Sequence, residues 1–68
     1  MKAYTIMYKK NSWELPEMVQ VLAENKYEAY DHAVYDLLGG AVYSAWVYSV
    51  TYNNGNYHRF NTCEGKRY

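Results

Sequence analysis

His32, His58 and Cys63, with Asp31 and Asp36, are the side chains whose types suit acid–base, nucleophilic or metal chemistry. A cysteine nucleophile needs a histidine within hydrogen-bond reach. Cys63 lies five residues beyond His58, which in an extended strand means roughly 16 Å of separation and opposite faces. Asp31 and His32 are adjacent in a predicted helix and so do not face each other. Two histidines and one cysteine fall short of the four ligands, at short local spacings, of a closed zinc site. Gly39-Gly40 follows the predicted helix rather than preceding one, so it stops a helix and does not cradle a phosphate at a helix N-terminus. The sequence therefore predicts no catalytic residue, no metal and no cofactor, and a protein that is not an enzyme.

Binding chemistry is better supplied. Of 68 residues, ten are Tyr and two are Trp, types that combine apolar area with a polar tip. Many lie around Asn54-Gly55, a dipeptide suited to a two-residue type I′ hairpin turn. That turn sets Tyr52 opposite Tyr57, Thr51 opposite His58, Val50 opposite Arg59, Ser49 opposite Phe60 and Tyr48 opposite Asn61. One face then carries Trp46, Tyr48, Val50, Tyr52, Tyr57, Arg59 and Asn61. The other carries Tyr43, Ala45, Val47, Ser49, Thr51, His58 and Phe60.

The elements that must position these residues follow from local patterns. Alternation of Tyr4, Ile6 and Tyr8 with Ala3, Thr5 and Met7 predicts a strand over about 3–9. Asn11-Ser12 makes a turn, and a second strand over about 17–24 follows Pro16, which has no N–H for a ladder and marks a bulge, an edge or a strand start. Asn25 and Glu28 form a helix N-terminus. The helix runs over about 26–38, with Ala29, Tyr30, Ala33, Val34, Leu37 and Leu38 on its apolar face and Lys26, Glu28, Asp31, Tyr35 and Asp36 on its wet side. Strands over about 42–53 and 56–62 complete the chain, with a polar tail at 63–68. The order is ββαββ in a single domain: an α+β, two-layer fold with a four-stranded, mainly antiparallel sheet and one helix on one face.

One short helix covers only one face of such a sheet. Small Ala45, Val47 and Ser49, with Phe60, let a helix lie close, so this face is assigned to the core with Ile6, Val19, Val21 and Ala23 and with Ala33 and Leu37 from the helix. The open face then displays the candidate partner-binding residues Trp46, Tyr48, Tyr52, Tyr57 and Arg59. The reverse assignment, with Trp46, Tyr48 and Val50 inside, would leave mainly small and polar groups outside.

Three readings of the aromatic face stay open. Tyr, Trp and Arg are enriched at protein-binding hot spots, and a rigid sheet presents them at little entropic cost. Cross-strand aromatic pairs could instead serve only to stabilise the hairpin. A platform for single-stranded nucleic acid would stack bases on Trp46, Tyr48, Tyr52 or Tyr57, with Arg59 and Lys9 or Lys10 on phosphates. Seven basic and seven acidic residues cancel, which counts against a phosphate-driven binder and equally against a DNA mimic. Packing of two open faces in a homodimer is a further form of protein binding.

A domain this small buries only about 60% of the surface its unfolded chain exposes, so help from a partner or a second copy is expected. A single cysteine provides no internal disulfide and suits a reducing cytoplasm. Residues 1–10 lack the apolar core and cleavage site of a signal peptide. No stretch approaches the roughly 20 apolar residues that cross a bilayer.

The run from Val21 to Ala33, a strand ending in Ala23-Glu24, then Asn25 and a helix opening with Glu28-Ala29-Tyr30, resembles small ββα-containing proteins of phages and mobile elements. That resemblance implies an inhibitor of a bacterial defence complex, anti-CRISPR-like, working in the host cytoplasm by occluding a surface of a host nuclease or enforcing its dimerisation. Many anti-CRISPR proteins are strongly acidic; this chain is neutral.

Overall fold

A computed structural model describes residues 1–60. Strands β1 (Lys2–Lys9) and β2 (Glu17–Ala23) are followed by helix α1 (Lys26–Asp31), which continues as a π-helical segment (His32–Leu37), and then by β3 (Ser44–Thr51) and β4 (Tyr57–Arg59). All strand pairs are antiparallel, in the order β2-β1-β3-β4. The fold is thus the α+β, ββαββ arrangement expected from the sequence. No helix among the described residues is long and apolar enough to cross a membrane. The predicted end of the last strand, Asn61, Cys63 and the tail lie outside the described residues.

β2 begins directly after Pro16, where a missing N–H costs the ladder nothing. Asn25 caps α1 as its type dictates, its side-chain oxygen accepting from the Glu28 amide at 2.9 Å. At the far end both Gly39 and Gly40 take positive φ, and the Gly40 amide donates to the Val34 carbonyl at 2.7 Å, the wide closure that ends a helix. The π-helical segment was not expected. Its consequence is a change of phase: the Leu38 amide reaches back five residues to Ala33, so Leu38 is half-buried whereas Leu37, assigned to the core from α-helical spacing, is 57% exposed.

The core lies between the helix and one sheet face. Tyr4, Ile6, Ala23, Ala29, Ala33, Val47 and Val50 are buried together, with Val19, Val21, Tyr30, Ala45 and Phe60 packed around them. Three alanines at the junction allow the helix to sit close, and half-buried Phe60 closes one margin.

Two features overturn the predicted register of the second hairpin and the predicted facing of β3. The Gly55 amide donates to the Tyr52 carbonyl at 3.0 Å and the Tyr52 amide to the Asn56 carbonyl at 2.8 Å, while Gly55 alone in the turn has positive φ. The loop is therefore Asn53-Asn54-Gly55, a three-residue turn with its glycine in the left-handed region rather than type I′. Thr51 faces Tyr57, Val50 faces His58 and Ser49 faces Arg59, one residue away from the expected pairing. The second feature is a bulge: Thr5 pairs with Ser49 but Ile6 with Val47, leaving Tyr48 as the extra residue.

Candidate protein-binding face

Away from the helix, the strand registers arrange the open face in three rows. Met18, Met7 and Trp46 form the first, from β2, β1 and β3. Gln20, Thr5, Ser49 and Arg59 form the second, and Leu22, Ala3, Thr51 and Tyr57 the third. Two rows with large apolar side chains thus flank one polar row. Within the polar row the Gln20 amide reaches the Thr5 hydroxyl at 3.5 Å, and Thr5 and Ser49 are buried beneath their neighbours. Met18 and Leu22, at 63% and 65% exposure, are apolar groups left in water.

Tyr48, at the bulge, and Arg59 meet on this face. Exposed Arg59 hydrogen-bonds the Tyr48 side chain, and that bond, then the electrostatic pull of Tyr48 and of Tyr57, raises the guanidinium above its ordinary basicity. The bulge is what brings Tyr48 here beside Ser49, since strict alternation would send one of the two inward.

Of the five residues singled out from sequence, the structure brings Trp46, Tyr48, Tyr57 and Arg59 to the open face. Tyr52 is not among them. It shares the side of Val50, where the Lys2 ammonium lies 5.8 Å from its ring centroid. Val50 and Tyr52 have accordingly exchanged faces with Ser49 and Thr51 relative to the expected pattern. Met7, Met18 and Leu22 were missed, although β2 held the signal: with Val19, Val21 and Ala23 inward, Met18, Gln20 and Leu22 must point outward. Trp13 and Leu15, 80% and 86% exposed in the β1–β2 loop, went unremarked because loop residues have no period to read.

The residues suited to catalysis are placed differently. His32 Nδ1 lies 2.8 Å from Asp36 Oδ2 and Nε2 4.0 Å from Glu28 Oε1, a row of i,i+4 neighbours in an open groove with Asp31 and Tyr35. The adjacent Asp31 is not the partner; residues four apart are. One carboxylate in hydrogen-bond contact and a second 4.0 Å away orient an imidazole but provide no nucleophile. His58, on the helix side of β4, stacks edge-on against Phe60 with ring centroids 4.9 Å apart. Among the described residues no group of three or more His, Cys, Asp or Glu is placed to hold a metal ion.

Lys9, one of the cations considered for phosphate contact, donates from its ammonium to the Ser12 carbonyl at 3.1 Å. Compared with protein-family models, curated proteins and solved structures, the chain matches none.

Proposed function

We propose that this protein is a non-enzymatic protein-binding module that presents the open face of its sheet to a partner. The observation that carries the reading is a pair of rows, Met18–Met7–Trp46 and Leu22–Ala3–Thr51–Tyr57, with exposed Met18, Leu22 and Tyr57 and half-buried Met7 and Trp46, around a polar row ending in Arg59. This is the composition of a hot-spot surface, with Trp, Tyr, Met and Arg on rigid backbone. The hydrogen bond to Tyr48 favours a position of the exposed Arg59 cation on this face, which lowers the ordering cost of binding.

Single-stranded nucleic acid is the rival reading. Against it, Arg59 is the one cation on these three rows and Lys9, beyond them, is bonded to the Ser12 carbonyl, whereas phosphate neutralisation needs several cations. Occlusion of a bacterial defence nuclease is the form of protein binding that the phage-protein resemblance implies, and a cytoplasmic site of action goes with it.

The test uses the immobilised chain to capture partners from cells, then titrates the purified partner with the parent and with a Tyr57→Ala/Arg59→Ala variant. The reading expects at least a tenfold loss of affinity with an unchanged melting curve. Equal affinity in the variant would move the interface off this face.

A further inference from the structure

β2 and β4 are the two edges of the sheet, and they differ. β4 is three residues long and carries His58 and Arg59, a short, charged edge of the kind that resists further pairing. β2 is seven residues long, pairs with β1 without a bulge, and has no charged residue between Met18 and Ala23. An edge of this kind presents a row of unpaired N–H and C=O groups to any extended strand of matching pattern.

The pattern that matches is its own. Read outward from Gln20 in either direction, β2 gives Val, then a large apolar residue not branched at Cβ: Val19 and Met18 one way, Val21 and Leu22 the other. We propose that β2 is the seam of a symmetric dimer, in which two copies pair antiparallel about Gln20 and their sheets become one. Gln20 then faces the partner's Gln20, Val19 faces the partner's Val21, and Met18 faces the partner's Leu22. Glu17 falls opposite the partner's Ala23, so no like charges oppose each other.

Both sheet faces gain. On the helix side the half-buried valines of the two copies cover one another. On the open side exposed Met18 and Leu22 lose their water, and the two open faces join into one surface. Register is specified as well: a shift by two residues, which keeps each side chain on its face, would set polar Gln20 against Met18 or Leu22. The seam covers Met18 and Leu22 at the margin of the proposed binding face but leaves Trp46, Tyr57 and Arg59 uncovered, so it does not depend on partner binding there and leaves that part of the face open.

Light scattering over a dilution series up to about 1 mM, the weak end of specific association, tests the seam with Gln20→Lys and Gln20→Glu. The parent is expected to dimerise with concentration, each variant to remain monomeric because like charges meet at the symmetry axis, and an equimolar mixture of the two to dimerise again. A parent that stays monomeric throughout overturns the proposal, as does a dimer that survives both substitutions or a mixture of folded variants that fails to associate. Hydrogen exchange of the parent provides a readout free of substitution. Slowing with concentration in alternate amides of β2 supports the seam, and slowing confined to any other segment overturns it.

Discussion

Val47 and Val50 lie three residues apart on β3, yet both point to the helix side of the sheet and both are 2% exposed. The extra residue between them, Tyr48, lets one strand place both valines in the core and both Tyr48 and Ser49 on the open face. Packing and the candidate site therefore depend on the same bulge. Val50→Ala removes about two buried methylene equivalents and leaves a cavity, at a cost of about 2 kcal/mol. In a domain of this size the melting temperature should fall by on the order of 10 °C, as followed by circular dichroism. Leu37→Ala, on a side chain more than half exposed, should shift the same melt little.

Gly55 tests the turn. Its φ of +89° is one that side chains rarely adopt, but nothing lies within 4 Å of where a Cβ would stand. Any loss on Gly55→Ala is therefore backbone strain rather than a clash, expected at roughly 1–2 kcal/mol. Asn54→Ala removes a different support, the side-chain oxygen that accepts from the Asn56 amide at 3.0 Å. Chemical denaturation of each variant checks both, and a Gly55→Ala protein as stable as the parent would contradict the turn geometry.

Element order, strand starts and the helix cap were legible because each rests on local chemistry: Pro16 before β2, Asn25 before α1, Gly39-Gly40 after the helical segment. What could not be read was phase. Asn54-Gly55 is compatible with a two-residue and a three-residue loop, and the choice moves every pairing in the hairpin by one. The Tyr48 bulge then reverses the faces of the residues beyond it, which is why Val50 and Tyr52 go inward and Ser49 and Thr51 outward. Trp46 precedes the bulge, while Tyr57 and Arg59 reach the open face because the new register pairs them with Thr51 and Ser49. Leu37 was lost to the core for the same kind of reason, as the bond from Leu38 to Ala33 replaces the α-helical period. Phe60, only half-buried, should cost less on truncation to Ala than the 3–5 kcal/mol, approximately, of a fully buried Phe.

His32 and Asp36 form a close pair at 2.8 Å, but their side chains are 50% and 64% exposed. Such an i,i+4 pair on a helix surface is worth about 0.3–0.5 kcal/mol, and less in high salt. Asp36→Asn should accordingly move the unfolding midpoint by no more than that amount. A loss of several kcal/mol would give the groove a structural weight that its exposure does not explain.

Tyr48→Phe isolates the hydrogen bond to Arg59 from the ring that carries it. The ring is half-buried at the bulge and is retained, so the fold and its melting should be preserved. What is lost is the oxygen that holds the guanidinium, and with it the chief cause of the raised basicity of Arg59. If the open face binds a protein through a pre-positioned Arg59, partner affinity should drop severalfold through faster dissociation, with the association rate nearly unchanged. The affinity of parent and variant alike should respond only weakly to added salt, since few charges lie on the face. A nucleic-acid platform predicts the reverse pattern, because phosphate contacts tolerate a mobile cation and release counterions in proportion to their number. Surface plasmon resonance at two salt concentrations, with a captured protein partner and with a single-stranded oligonucleotide, separates the two. A steep salt dependence that Tyr48→Phe leaves untouched would overturn the protein-binding assignment.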